Sequence, residues 1–289
     1  MADLKVLKNR ISSVKKTQKI TKAMKMVAAS KLKRARIDAE SSRAYSENLK
    51  KIISAHVTNN KAGDNRDLIS GVKDPKKILL ILVTSDRGLC GGLNSNLVKY
   101  TINIIKNLEQ QNYQVTLHTI GKKGHDQVKN LFAQQIISHQ VGYSSKKISY
   151  DDAHNLSNDL INDFFAAKFD ICQIIYPVFK SAINQEPLQQ QIIPCDIGQI
   201  INDSNVEFDY EPKKEILLEK TVIRNIEVQV FQALLECFAS EQGARMSAMD
   251  NAVNNCNELV KKLNLSYNRT RQAKITTELI EIISAAESI

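Results

Sequence analysis

From Asp3 to about Val57 apolar side chains return every three or four residues. Leu4, Leu7, Ile11, Val14, Thr21, Ala28, Leu32, Ala35, Ala39, Leu49 and Ile53 share one register. The stretch contains neither glycine nor proline, so the pattern predicts an unbroken helix of about 80 Å. A second such pattern closes the chain. Pro212 is the last proline and Gly243 the only glycine after it, which allows one helix from roughly Ile216 to Ala286, about 100 Å long. Its stripe is Phe231, Leu235, Phe238, Met249, Ala252, Cys256, Leu259, Leu263, Ala273 and Ile280, interrupted by Gln242, Arg245, Ser266, Thr270 and Thr277. Facing stripes at opposite ends of a chain predict a coiled coil. It must be antiparallel if the residues between form a compact unit at one end. From Leu279 to Ile289 the apolar residues point around most of the circumference. A helix of that kind calls for surroundings on all sides, and the length of the rod makes the surroundings another protein.

The intervening residues change period. Asn59 to Asp74 is polar, with Gly63 and Gly71, and reads as a linker. Lys76–Thr84 and Val115–Ile120 read as strands, with a helix to about Gln110 between them. A short helix then runs to Phe132, followed by a helix over Asp151–Ala167 and a strand over Ile171–Val178. Strands alternating with helices imply a mainly parallel sheet. Ile183–Asp209 is polar and glutamine-rich, and fits short edge strands or a loop. The fold class is α/β: a long antiparallel coiled coil of N- and C-terminal helices with an inserted Rossmann-like α/β domain. The expected divisions are 1–58, 75–212 and 213–289.

Composition narrows the function classes. The 289 residues are 43% hydrophobic and 25% charged, ordinary for a soluble globular protein. No run approaches the roughly 18 apolar residues of a membrane span. Five scattered cysteines without a Cys-x-x-Cys pair fit a reducing compartment and argue against a zinc site. The net charge of +9 is uneven. Through Arg43 there are thirteen basic side chains against three acidic ones, and the remainder is nearly balanced. The first segment therefore seeks an acidic partner. Nucleic acid is disfavoured, because the few aromatics are not interleaved with the basic stretch. The basic start also has the composition of a transit peptide, but lysine outnumbers arginine and the helical stripe runs far past a cleavage point.

Ser85-Asp86-Arg87-Gly88-Leu89-Cys90-Gly91-Gly92 follows the first strand, where a phosphate loop would stand. Neither glycine fingerprint for nucleotides is present, and Asp86 would repel phosphate. The glycines read as devices for a tight crossover, and Asp86 and Arg87 as a possible contact for a partner. No catalytic grouping, cofactor site or metal site is legible.

Three blocks identify the sequence as resembling the gamma subunit of the F-type ATP synthase, of bacterial type. They are Ile11–Arg34, Thr84–Asn94, and Ala239–Asp250 continuing through Tyr267–Ala273 to Ile275–Glu278. Ser284-Ala285-Ala286 departs from the family's Ser-Gly-Ala and makes the tip stiffer. The resemblance implies a central rotor shaft with no nucleotide site and no cofactor of its own. Its partners would be the alpha and beta subunits of the hexamer, the epsilon subunit and the c-ring, through which alone it meets the membrane. The place implied is peripheral, on the cytoplasmic face of the bacterial inner membrane. Positions that match the family's rotor–stator contacts are Met24, Lys25, Arg245, Arg271, Gln272, Thr276 and Glu278. Tyr210 and Glu211 match a segment touching the c-ring.

Overall fold

The computed structural model describes residues 2–56, 66–143, 148–195 and 214–287. Two helices carry the ends of the chain: α1 (Ala2–His56, 55 residues) and α5 (Lys214–Glu287, 74 residues). The chain divides into two compact units, one of residues 1–29 with 245–289 and one of residues 30–244.

In the first unit the ends of α1 and α5 pair antiparallel. Lys25 Nζ lies 2.6 Å from Asp250 Oδ1, and the Gln18 amide donates to Asn257 Oδ1. Seven residues forward in α1 are seven residues back in α5. The inward side of α1 is Leu4, Leu7, Ile11, Val14, Gln18, Thr21, Lys25 and Ala28, all half-buried or buried. On α5 it is Met246, Asp250, Val253, Cys256, Val260, Leu263, Tyr267, Thr270 and Lys274. The α1 stripe is thus the expected one. On α5 the inward stripe passes through Val260 and Lys274, while Leu259 and Ala273 are exposed. Carried toward the start of α1, the register sets Asp3 opposite Gln272. Beyond that point α5 has no partner from α1.

The second unit is built on a five-stranded sheet. Its strands are β1 (Lys77–Val83), β2 (Gln114–Ile120), β3 (Ile136–Gln140), β4 (Ile171–Phe179) and β5 (Gln185–Ile193). The order is β3-β2-β1-β4-β5, all parallel except the β4–β5 pair. Helices α2 (Leu93–Gln110), α3 (Lys122–Val128) and α4 (Tyr150–Phe165) complete it. β1 is apolar on both faces because both are covered, as a central parallel strand requires. Its alternate residues feed two cores. Leu79, Ile81 and Val83 meet side chains of α4, α5 and the 35–53 stretch of α1, and Ile78, Leu80 and Leu82 meet α2 and α3. Ser149 starts α4 with a capping box, its hydroxyl and the Asp152 carboxylate each satisfying the other's backbone amide.

Two strands escaped the pattern reading. β3 carries no sustained alternation and is an edge strand whose side chains are half-buried or exposed. β5 is the polar segment left open between strand and loop. It too is an edge, with Pro187 facing Pro177 and burial concentrated at Ile192 and Ile193.

Candidate functional site

Open α/β sheets take their ligands at the carboxyl ends of the strands, where the strand order reverses. Here that place lies between β1 and β4, and α5 fills it. Cys237 Sγ contacts Val83 O at 3.8 Å, and Ser240 Oγ donates to Pro177 O at 3.1 Å. Glu236 Oε2 accepts the Phe179 amide at 2.9 Å, and its other oxygen takes the Arg43 guanidinium, tying α1 to the same spot. Gly243 lets the helix come close, since a Cβ there would stand 2.7 Å from the Phe179 ring.

The glycine-rich loop is likewise occupied from within. Asp86 accepts the Lys122 amide at 3.2 Å and the Gly142 amide at 3.0 Å, so a carboxylate of the chain sits where a phosphate would. Ser85 and Asn94 brace the turn. Gly121, at φ 94°, has no room for a side chain, because a Cβ would lie 2.0 Å from Thr84 O. The loop presents Leu89 to solvent, 62% exposed and with φ 64°.

Sequence reasoning missed a polar cluster beside a cavity of about 680 Å³ lined by α1, the start of α4 and α5. Arg224 lies 4.2 Å over the Tyr150 ring, and Glu227 accepts from Tyr150 and from His154 Nδ1 at 2.7 Å. Burial alone would raise the Glu227 pKa, but these donors together hold it below the usual carboxylate range. No spacing signal in the sequence links residues so far apart.

The anticipated contact residues fall into two groups on the paired helices. Met24 is half-buried, Lys25 is held by Asp250, and Arg245 is 9% exposed about one and a half turns away. Some 30 Å along α5, Arg271, Gln272, Thr276 and Glu278 are all exposed. Thr276 Oγ1 returns a hydrogen bond to Gln272 O at 3.0 Å, and Glu278 meets Lys274 at 3.4 Å. Past them Leu279, Ile280, Ile282 and Ile283 stand 54–65% exposed. Tyr210 and Glu211 lie outside the described residues. Asp250 and Asn257, the partners of Lys25 and Gln18, had not been anticipated. A signal existed: Gln18 and Lys25 are gaps in the apolar register of α1, and polar residues in a seam fix its register.

A family model described as ATP synthase matches residues 3–289. The ATP synthase gamma chain of Rhodospirillum rubrum is 45% identical over 300 residues, covering all of both chains. The chain belongs to the ATP synthase gamma-chain family. That of Pelagibacter ubique is 45% identical over 293 residues, again end to end. Among solved structures, a chain of the Tetrahymena thermophila mitochondrial ATP synthase central stalk and c-ring matches at TM-score 0.62 and 29% identity. It covers 81% of this chain and 99% of that one. A chain of the Euglena gracilis mitochondrial ATP synthase shares the fold at TM-score 0.73, with 23% identity over 99% of this chain and 94% of that one. Gamma-chain membership fits a sheet whose ligand crevice is filled by its own helix. No helix among the described residues is long and apolar enough to cross a membrane.

Proposed function

We propose that the chain is the central rotor shaft of a proton-translocating F-type ATP synthase. It couples rotation of the membrane c-ring to conformational cycling of the catalytic beta subunits, and it is not itself catalytic. One observation carries the reading: α5 outruns its α1 partner, and its last turns expose isoleucine and leucine on several sides. Left in water, that surface would be a liability. Inside a sleeve of alpha and beta subunits it is a bearing. Epsilon and the c-ring engage the α/β unit, with Tyr210 and Glu211 toward the c-ring. The chain itself is peripheral, on the cytoplasmic face of the bacterial inner membrane.

Coupling follows from differential contact. An asymmetric shaft touches each beta subunit differently at each angle, and only such differences can shift conformational populations. Arg271 and Gln272 are exposed and offer hydrogen bonds to a beta loop, and Thr276 and Glu278 extend that face. Met24 and Lys25, with Arg245 nearby, serve a second level. Met24→Lys adds a cation beside the Lys25–Asp250 pair, where Lys19 and Lys22 already supply positive charge toward an acidic lever of beta. ATP-driven proton pumping by complexes carrying it should fall while ATP hydrolysis persists. Wild-type pumping per ATP hydrolysed would remove Met24 from the coupling path.

A further inference from the structure

The α/β unit holds a cleft of about 400 Å³ that the shaft reading does not use. β1 and β2 contribute Leu79 and His118, α4 contributes Leu160, Asp159 and Asp163, and Phe169 closes the apolar side. His118 is 6% exposed, and its side chain makes no hydrogen bond among the described residues, Nε2 being buried and unpartnered. Such a group in a native interior calls for a partner. Burial first, then His139, push its pKa down to about 4, while Asp159 and Asp163 pull the other way. The imidazole is therefore neutral at ordinary pH and has a nitrogen lone pair to offer. Asp163 is taken by Lys168 at 2.6 Å. Asp159, one turn earlier on α4, has no hydrogen-bond or ion-pair partner among the described residues.

The cleft thus combines apolar walls, an uncompensated carboxylate and a neutral acceptor. Lys168 also lines the cleft but is paired with Asp163, so an anion would meet the uncompensated Asp159 carboxylate. A purely apolar guest would leave Asp159 and His118 as they are. No three His, Cys, Asp or Glu side chains among the described residues are arranged to hold a metal ion. We propose that the cleft binds an aliphatic ammonium or guanidinium group, with its alkyl stem against the exposed Ile137, its charge on Asp159 and an N–H directed to the His118 ring. The group can belong to a free amine or to a lysine or arginine side chain of a neighbouring protein.

The test uses the full-length chain with histidine labelled with carbon-13 at Cε1, the His118 signal being assigned by its loss in His118→Phe. Agmatine serves as the free cation, and blocked Gly-Arg-Gly and Gly-Lys-Gly serve as the side-chain form. A saturable shift of the His118 signal is expected, with affinity reduced about tenfold by Asp159→Asn and unchanged by Asp151→Asn, which removes the same charge from the start of α4. Saturation by agmatine but not by the peptides identifies a small-molecule site, and saturation by a peptide identifies a side-chain socket. Absence of a saturable shift at tens of millimolar overturns the proposal. So does equal weakening by the two asparagine variants, which would mark diffuse screening.

Discussion

Histidine is the residue through which this structure answers to pH. Besides His118, the rings of His125 on α3 and His139 on β3 stack at 3.8 Å. Both present Nδ1 to Thr119 Oγ1, at 3.1 and 3.0 Å. Burial and the neighbouring His139 lower the pKa of His125. A lowered histidine pKa means that the unfolded chain binds more protons, so stability rises with pH. The contribution is intact above the unfolded value near 6.5 and is lost as pH falls below it. For His118 the loss continues to about pH 4 and is on the order of 3 kcal/mol. Urea midpoints of the wild-type chain should drop between pH 7.5 and 5, and His118→Phe should flatten that slope. At the same scale Gly121→Ala should cost about 3 kcal/mol or prevent soluble expression, because its Cβ would collide with Thr84 O and φ is 94°. Arg271→Ala should do the opposite. The side chain is exposed and free of partners among the described residues, so the melting temperature should hold while proton pumping falls.

The elements divide sharply in how far the sequence disclosed them. Both long helices were legible to within about two residues at each end, because α1 has no glycine or proline and α5 has no proline and only Gly243, which leaves little else to form. The central strand was equally plain, being apolar on both faces. β3 was not, since an edge strand need bury neither face and leaves no period to read. The α5 stripe drifted by one position at Leu259 and Ala273, where alanine and a half-exposed leucine tell the inward side from its neighbour only weakly. Chemistry was disclosed by its gaps: Gln18 and Lys25 mark where the helices bind each other through polar groups. At this scale removal of Ala285–Ile289 should leave the circular dichroism and melting of the isolated chain nearly unchanged, because side chains 275–286 are exposed. Assembled complexes should couple poorly. A collapse of the chain's own fold on that deletion would show that the tip packs at home.

For the molecule as a whole, charge and chemistry are laid out by region. The positive excess lies before Arg43 and the remainder is close to neutral, so attraction to an acidic partner is concentrated in the first helix. Association of assembled subunits through it should weaken with salt. The sheet repeats the architecture of dinucleotide-binding proteins, yet millimolar ATP or NADH should give no thermal shift, since any ligand specific for the folded chain would raise its melting point. A measurable shift would reopen the glycine-rich loop as a binding site.

What α5 does at the crevice between β1 and β4 has a further bearing on how the chain lives in a cell. A cofactor-binding fold is stabilised only as far as its cofactor is abundant, and loosens when supplies run low. Here the guest is covalently attached, so its effective concentration is set by tether geometry and never by metabolism. At this crevice, then, stability should not vary with the supply of any metabolite.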